Sequence, residues 1–304
     1  MRGLILGLGA AAILVALWLW PLGGAETLAR HAADGQREVQ NAMAGALRRL
    51  KGGEPQALLA LWALCFGYGF LHAAGPGHGK LVIGSYGLGR RVAAARLAAL
   101  ALASSLAQAA TAVLLVAAGL SLLGWTHERM TGLADRGLAV LSALLVAGIG
   151  GWLLWRGVLA LRRSFPEKPH AHDPTLVPAL DGTCATCGHA HGPTPDQAAR
   201  VRTFREALYL VAAVAVRPCT GALFLLILTW KMDIWAAGVV GAFVMGLGTA
   251  SVTVAVALGS VALRESALGA ARSGPALARA LGAAELLAGA LVLAVAAELL
   301  RQSL

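Results

Sequence analysis

An apolar run in this chain is interrupted by Gly75, Pro76 and Gly77, with a histidine on each side at His72 and His78. On an unbroken α-helix, side chains six residues apart point about 240° away from each other, so a straight helix keeps these two imidazoles separate. Proline lacks a backbone N–H and glycine tolerates unusual φ/ψ angles, so the helix should end here and leave carbonyl groups free. In a bilayer, such a break is tolerated only where it is buried in protein or lines a polar cavity.

Composition places most of the chain in lipid. Of the 304 residues, 58% are hydrophobic and only 13% are charged, whereas soluble domains carry roughly 25% charged residues. A net charge of +10 would suit nucleic acid, but the basic residues stand in short loops between apolar runs, as the positive-inside rule requires. The four cysteines are too few and too scattered for a disulfide framework. We therefore expect a multi-pass membrane protein that contacts lipid and no nucleic acid.

The N-terminal region divides into two parts. Residues 1–25 have a basic start and an apolar core, which predicts a signal peptide or an uncleaved membrane anchor, and the sequence does not choose between them. Residues 26–55 should then lie outside the cytoplasm. Apolar side chains recur there at helical spacing among basic ones, which predicts an amphipathic helix on the membrane surface, with a soluble spacer as the alternative. The apolar positions are Val39, Met43, Ala46 and Leu50.

Six later apolar runs are long enough to cross a bilayer as helices. They cover residues 56–74, 97–123, 137–160, 206–230, 234–262 and 280–300, and residues 78–89 continue the first run beyond its break. Basic residues cluster in alternate loops, which the positive-inside rule assigns to the cytoplasm. These clusters are Arg90, Arg91 and Arg96; Arg162, Arg163, Lys168, Arg200, Arg202 and Arg205; and Arg264, Arg272 and Arg279. The chain is therefore predicted to be an all-α, polytopic membrane helix bundle.

The same orientation predicts two three-helix repeats of inverted topology. Residues 56–160 would form the first repeat and residues 206–304 the second, because their leading helices cross the membrane in opposite directions. Residues 161–205 would link them as a cytoplasmic loop. Each leading helix is broken, the first by the Gly-Pro-Gly stretch and the second at Arg217 and Pro218. Matched breaks of this kind are the best sequence indicator of a transporter's binding site.

The two histidines beside the first break favour a metal site. Polar groups inside a membrane are costly and tend to be functional, and neutral imidazole is a good ligand for Ni²⁺, Co²⁺, Cu²⁺ and Zn²⁺. We weigh this interpretation of His72 and His78 above the alternative, packing. A phosphate-binding loop fails although Lys80 is in place, because Ala74 stands where glycine is needed and Leu81 where a hydroxyl must hold Mg²⁺.

Polar and charged side chains in the later helices are further candidates. Arg217 lies near the middle of its helix, so it should pair with an acid such as Glu285 or bond the carbonyls that Pro218 releases. Glu285 is a candidate proton carrier, with a snorkelling surface carboxylate as the equal alternative. Gln108 and Thr249 belong to stripes of small and hydroxylated residues, for which close helix packing is the general expectation. For these two we give more weight to lining an ion path.

The loop of residues 161–205 carries a second set of metal ligands. A Cys-x-x-Cys pair followed closely by His-x-His supplies good ligands for a borderline metal, and no strand–helix context indicates a redox pair. Such a loop could gather or sense ions in the cytoplasm; a solvated loop without a role is the alternative. Its candidate residues are His170, His172, Cys184, Cys187, His189 and His191.

These stretches together resemble the NicO family of nickel and cobalt exporters. The matching sequences are HAAGPGHGK at 72–80 with its SYGLGRR continuation, RPCTGALFLL at 217–226, MGLGTA at 245–250, and the His/Cys-rich loop. The resemblance extends from about residue 55 to the C-terminus. It implies a transporter rather than an enzyme, which exports Ni²⁺ and Co²⁺ as substrates, uses His72 and His78 as ligands, and holds no permanent cofactor.

On this interpretation the protein lies in the bacterial inner membrane and works by alternating access around the two breaks. Backbone carbonyls near Pro76 and Pro218, together with Cys219, would assist the two histidines. Protons from outside would favour release, because a protonated imidazole cannot ligate a metal. One rival is a membrane thiol electron carrier that uses Cys65 and Cys219, and another is an exporter of small organic solutes. The preferred metal and the oligomeric state are left open by the sequence, a homo-oligomer included.

Overall fold

The computed structural model describes residues 24–75, 78–89, 92–163, 195–270 and 275–303, and every described element of regular structure is helical. The helices are α1 (Gly24–Lys51), α2 (Gln56–Ala74), α3 (His78–Gly89), α4 (Ala94–Ser121), α5 (His127–Gly132), α6 (Ala139–Arg163), α7 (Pro195–Ala215), α8 (Thr220–Lys231), α9 (Trp235–Ala270) and α10 (Pro275–Ser303). A π-helical stretch, Leu133–Leu138, joins α5 to α6. The predicted all-α fold is therefore confirmed.

Helix length and composition agree with a polytopic membrane protein. Within the described ranges, five helical segments are long and apolar enough to cross a bilayer, and a sixth is obtained if α7 and α8 form one span. These two helices meet at a bend of 64°. Each of the six corresponds to one of the apolar runs in the sequence. The inverted relation of the two halves and the domain bounds stay predictions, and residues 1–23 lie outside the described residues.

Helix α1 does not offer its apolar face to a membrane surface. Met43 and Leu47 on that face are fully buried in the protein core. Met43 contacts Cys65 through sulfur, and Gln36 contacts His72 nearer the C-terminus of α2, so the two helices run antiparallel. The amphipathic helix is therefore confirmed, and its apolar side chains pack against α2, whereas its location at the membrane surface stays a prediction.

Two apolar clusters stack along the bundle and leave a polar layer between them. The first cluster joins α1, α2 and α8 with the C-terminal half of α4 and the N-terminal half of α9. The second joins α3, α6, α7 and α10 with the N-terminal half of α4 and the C-terminal half of α9. We call the region between the clusters the middle layer. It comprises residues 72–75, 78–80, 104–108, 214–219 and 249–253.

Glycines let α9 approach α2 beside the middle layer. A Cβ atom at Gly69 would overlap the carbonyl oxygen of Met245, and one at Gly248 would overlap the carbonyl oxygen of Phe66. The two backbones therefore touch directly, which is how small residues hold helices together in membranes. This contact explains Gly248 of MGLGTA and fixes the helix that carries His72 against α9.

Candidate functional site

A cavity of about 50 Å³ lies in the middle layer, where α2 ends and α3 begins. That volume accommodates a few water molecules or one partly hydrated ion. Helices α4, α7 and α9 complete its walls. The lining residues are His72, Ala73, Gly79, Lys80, Ile83, Ser104, Ser105, Gln108, Val214, Thr249 and Thr253. The structure thus brings together three of the predicted site residues, His72, Gln108 and Thr249.

His72 stands in the last turn of α2, and its ring is held by two neighbours. The Tyr68 ring stacks on it, with the ring centroids 6.2 Å apart and the planes within 9° of parallel. The Nδ1 atom of His72 lies 3.2 Å from Oε1 of Gln36 on α1. Because an amide oxygen only accepts hydrogen bonds, Nδ1 carries the proton and donates it, and the neutral ring keeps its lone pair on Nε2. His72 is therefore an oriented imidazole with one nitrogen that can ligate a metal.

Lys80 is hydrogen-bonded to the carbonyl groups that are freed at the end of α2. Its Nζ donates to the carbonyl oxygens of Ala73 at 2.8 Å, of Ala74 at 3.1 Å, and of Gly75. These oxygens stand at the negative end of the α2 dipole, where a cation is favoured. The carbonyls that the sequence assigns to the metal are thus bonded to an ammonium group in this structure.

At the second break, as at the first, a side chain donates a hydrogen bond to a freed carbonyl group, but here the donor is neutral. Helix α7 ends at Ala215 and α8 begins at Thr220, so the break predicted at Arg217 and Pro218 is confirmed. Gln108 of α4 donates its side-chain N–H to the carbonyl oxygen of Arg217 at 2.7 Å. Since proline cannot continue the helix, this carbonyl is one that the break releases. Gln108 therefore links the cavity to the second break.

Hydroxyl groups complete the lining. The Oγ1 atom of Thr249 lies 3.2 Å from the carbonyl oxygens of both Gly69 and Met245, so its proton is shared within the α2–α9 contact. Ser104 differs, because its Oγ is buried and has no hydrogen-bond partner among the described residues. Buried hydroxyl groups are normally satisfied by protein or by water. The lone Oγ therefore indicates that water or an ion belongs in the cavity.

The cavity is electropositive. Lys80 and Arg217 both lie close enough to act electrostatically on His72. Among the described residues that line it, none is Asp or Glu. In the ranges that the structure describes, no three His, Cys, Asp or Glu side chains come close enough to hold a metal ion. Binding of a divalent ion in this cavity would use His72 and neutral oxygens as ligands. It would also depend on whether the Lys80 charge stays in the cavity.

Some predicted site residues lie outside the described residues. These are Pro76, Gly77 and the side chain of His78, whose backbone begins α3. The loop residues also lie outside them, namely His170, His172, Cys184, Cys187, His189 and His191. Cys219 is described, but it precedes α8 as its N-cap residue and does not line the cavity. The ligand roles of His78, of Cys219 and of the loop stay predictions.

Glu285 pairs with Arg156, so the acid named as an example of a partner for Arg217 is wrong. Its Oε1 lies 3.2 Å from a terminal nitrogen of Arg156 on α6, and its side chain is only 13% exposed. The Arg156 guanidinium also lies 5.0 Å from the centroid of the Trp152 ring. The carboxylate is thus enclosed between α6 and α10 rather than snorkelling at the surface, and its role as a proton carrier stays a prediction.

Two residues of the site, Gln36 and Lys80, have no role in the sequence-based interpretation. Gln36 lies in a segment that was expected on the membrane surface, and nothing in the sequence links it to His72. Lys80 does carry a signal, because a lysine just beyond a broken helix can fold back and bond the last carbonyls of that helix. The signal is recognisable only when the break itself has been located.

A second cavity, of about 290 Å³, lies further along α3 and α7 than the first. Tyr86 and Leu210 line it about one helical turn beyond Ile83 and Val214 of the first cavity. The Tyr86 hydroxyl donates to a carboxylate oxygen of Glu206 at 3.2 Å. The two cavities follow one another toward the end of the bundle at which α7 begins.

Comparison with known proteins agrees with the motifs. The NicO family, described as high-affinity nickel-transport protein, matches residues 58–183 and 167–304. A protein of Haemophilus influenzae that bears the provisional name nickel/cobalt efflux system is 29% identical over 262 residues, which is 81% of this chain and 77% of that protein. No solved structure matches the chain. The resemblance stated from the motifs is therefore confirmed.

Proposed function

This chain belongs to the NicO family of nickel-transport proteins, and we propose that it exports Ni²⁺ and Co²⁺ from the cytoplasm across the bacterial inner membrane. The observation that carries the proposal is the cavity of the middle layer, where an oriented imidazole meets the two helix breaks. Transporters place their binding sites near the bilayer midplane at breaks of this kind. The Haemophilus influenzae relative, which is named for nickel and cobalt efflux, supports the outward direction.

In this proposal the metal binds Nε2 of His72. A metal-ligating histidine almost always donates its other ring N–H to an oxygen, which fixes the tautomer and the ring orientation, and Gln36 accepts that bond here. Ser104, Gln108 and Thr249 supply neutral oxygens nearby. One imidazole with oxygen ligands suits a borderline ion. Such a ligand set binds the ion less tightly than a set of thiolates does. A transport site needs moderate affinity, because the ion must also leave.

The second cavity is the proposed approach from the cytoplasm. Arg205, one of the basic residues that the positive-inside rule assigns to the cytoplasmic side, lies in its wall. The carboxylate of Glu206, held by Tyr86, would attract a divalent cation toward the middle layer. The loop with the predicted histidine and cysteine ligands precedes α7 in the sequence, and in this proposal it passes ions toward this cavity.

Alternating access coupled to protons completes the proposal. Metal would bind neutral His72 from the cytoplasm, and a proton arriving from outside would favour release, because a protonated imidazole cannot ligate. The sequence offers no nucleotide-binding motif in support of an ATP-driven pump, since the nearest candidate fails at Ala74 and Leu81.

A thiol electron carrier is disfavoured by the surroundings of its two cysteines. Cys65 is fully buried, and its sulfur lies 3.7 Å from the sulfur of Met43. Reactive thiols are partly exposed and lie in electropositive surroundings, whereas a buried cysteine among apolar side chains is inert. The electropositive cavity holds His72 instead of either cysteine.

The test is growth of a metal-sensitive strain that carries this chain in graded Ni²⁺, Co²⁺, Zn²⁺ and Cu²⁺, with the metal content of the cells measured. Export predicts greater tolerance to nickel and cobalt and a lower cellular content. A rise in content would show import, and an unchanged content would favour the exporter of organic solutes. In metal-loaded vesicles, transport at equal rates with and without a pH gradient would exclude proton coupling and leave export standing.

A further inference from the structure

Lys80 places a positive charge in the cavity that the proposed function assigns to a divalent cation. Its ammonium lines the cavity beside His72 and is bonded to three carbonyl oxygens, those of Ala73, Ala74 and Gly75. The lining, so far as the structure describes it, contains no carboxylate that could offset this charge. A metal ion and the ammonium would therefore repel each other at close range in a low-dielectric site.

The three carbonyl oxygens have the properties of a cation site. They converge on one point at the C-terminal end of α2, where the last carbonyls of the helix lack intrahelical partners and the helix dipole is negative. Rings of backbone carbonyls replace the hydration shell of an ion in membrane channels for the same reason. In this structure the point of convergence is filled by the Lys80 ammonium.

We propose that the carbonyl oxygens of Ala73, Ala74 and Gly75 form a cation site that the Lys80 ammonium and the transported metal occupy in turn. Lys80 is then a tethered competitor that sets the affinity of the site. The metal displaces the ammonium when it binds His72, and the ammonium returns as the metal leaves. This inference rests on the proposed function, because the proposed function identifies the displacing cation as the transported metal ion.

The surroundings of Lys80 permit this exchange. A lysine head group sits on a flexible four-carbon stem, so it can leave the carbonyls without any movement of the backbone. The cavity gives it room next to Ser104, whose buried hydroxyl has no partner among the described residues. Return of the ammonium restores three hydrogen bonds, which favours release of the metal and keeps the site from becoming a trap.

A purely structural cap is the alternative role for Lys80. Basic side chains near the end of a helix often bond its last carbonyls and stabilise it. A cap and a competitor differ in their effect on metal binding. Loss of a cap lowers stability and leaves the metal affinity unchanged or weaker, whereas loss of a competitor makes the metal bind more tightly.

The experiment titrates the full-length protein in lipid nanodiscs with Ni²⁺ and measures the dissociation constant and the export rate. The background replaces the six histidines and cysteines of the loop by serine, so that the loop contributes no metal ligands. Lys80→Gln removes the charge, Lys80→Arg keeps it, and Lys231→Gln removes an exposed lysine at the end of α8 as the matched control. We expect Lys80→Gln to bind Ni²⁺ about tenfold more tightly or better, and to export it more slowly. Lys80→Arg and Lys231→Gln should bind like the parent.

Unchanged or weaker binding by Lys80→Gln overturns the inference. Lys80→Met provides a second neutral variant if the glutamine variant does not fold. If neither folds, the inference is also overturned, because an ammonium that the fold requires in place cannot leave during transport. Absence of Ni²⁺ binding in the parent is a different result, since it refutes the membrane metal site of the proposed function itself.

Discussion

The middle layer and the α6–α10 contact both hold charged side chains inside an apolar bundle, but they differ in whether an opposite charge lies beside them. Between α6 and α10, Arg156 and Glu285 form an ion pair, and the charges cancel within the contact. In the middle layer, Lys80 is bonded to neutral carbonyls, and no carboxylate lines the cavity among the residues that the structure describes there. A charge that is neutralised locally can serve the fold alone, whereas a charge left uncompensated in a cavity is expensive and calls for a function.

The largest effect is expected when the imidazole of the middle layer is removed. His72→Ala takes away the nitrogen that we assign to the metal, so nickel and cobalt tolerance should fall to that of cells without the transporter. His127→Ala is the matched control, because that histidine is exposed at the start of α5. Cellular nickel content measured in both variants checks the prediction, and equal export by the two would remove His72 from the site.

The wall of the middle layer should be the next most sensitive feature. Gly248→Ala puts a methyl group against the carbonyl oxygen of Phe66, so α9 must move away from α2. We expect a loss of about 3 kcal/mol in the free energy of unfolding, measured by thermal unfolding in detergent. Gly259→Ala lies on the same helix with open space around it and should leave stability almost unchanged. Similar stability in both variants would show that the close contact does not matter.

Breaking the ion pair between α6 and α10 should affect stability and spare transport chemistry. Glu285→Gln leaves Arg156 without its carboxylate partner, and we expect a loss of about 1–2 kcal/mol, because the arginine is partly exposed. The double variant Arg156→Met, Glu285→Met should recover much of this loss. The metal concentration for half-maximal transport should stay the same in both. A shift in that concentration or in its pH dependence would instead support Glu285 as a proton carrier.

A smaller effect is expected from the residue that orients His72. Gln36→Leu removes the acceptor of the Nδ1 proton, and loss of such a partner typically weakens metal binding or activity about tenfold. Gln36→Glu keeps an acceptor oxygen and should retain most of the transport rate. The initial rate of Ni²⁺ export measured in the two variants decides the point. If the leucine variant exports as fast as the parent, the α1 contact is only a packing contact.

Much of the fold can be predicted from the sequence because it depends on local residue patterns. The membrane spans agree with uninterrupted apolar runs, and the helix breaks coincide with Gly75 and Pro218, where the backbone chemistry forbids a regular helix. His72, Gln108 and Thr249 could be selected as site residues because polar groups are conspicuous among apolar neighbours. In each case the signal lies within a few residues of the feature that it predicts.

What the sequence does not predict is pairing between distant elements. Amphipathic spacing identifies α1 as a helix but does not say whether its apolar face meets lipid or α2. Likewise Glu285 needs a cationic partner on chemical grounds, and both Arg156 and Arg217 satisfy that need until the packing of α6 against α10 is known. The contact between Gln36 and His72 depends on the register of two antiparallel helices, which no local pattern encodes.

The most direct measurement is the visible absorption spectrum of Co²⁺ bound to the purified protein, in the background without the histidines and cysteines of the loop. If the cavity binds the transported ion through His72, the parent should give bands that differ from those of aqueous Co²⁺ and saturate on titration. These bands should disappear in His72→Ala and persist in His127→Ala. An identical spectrum in the parent and in His72→Ala would contradict the account, because the metal would then bind elsewhere.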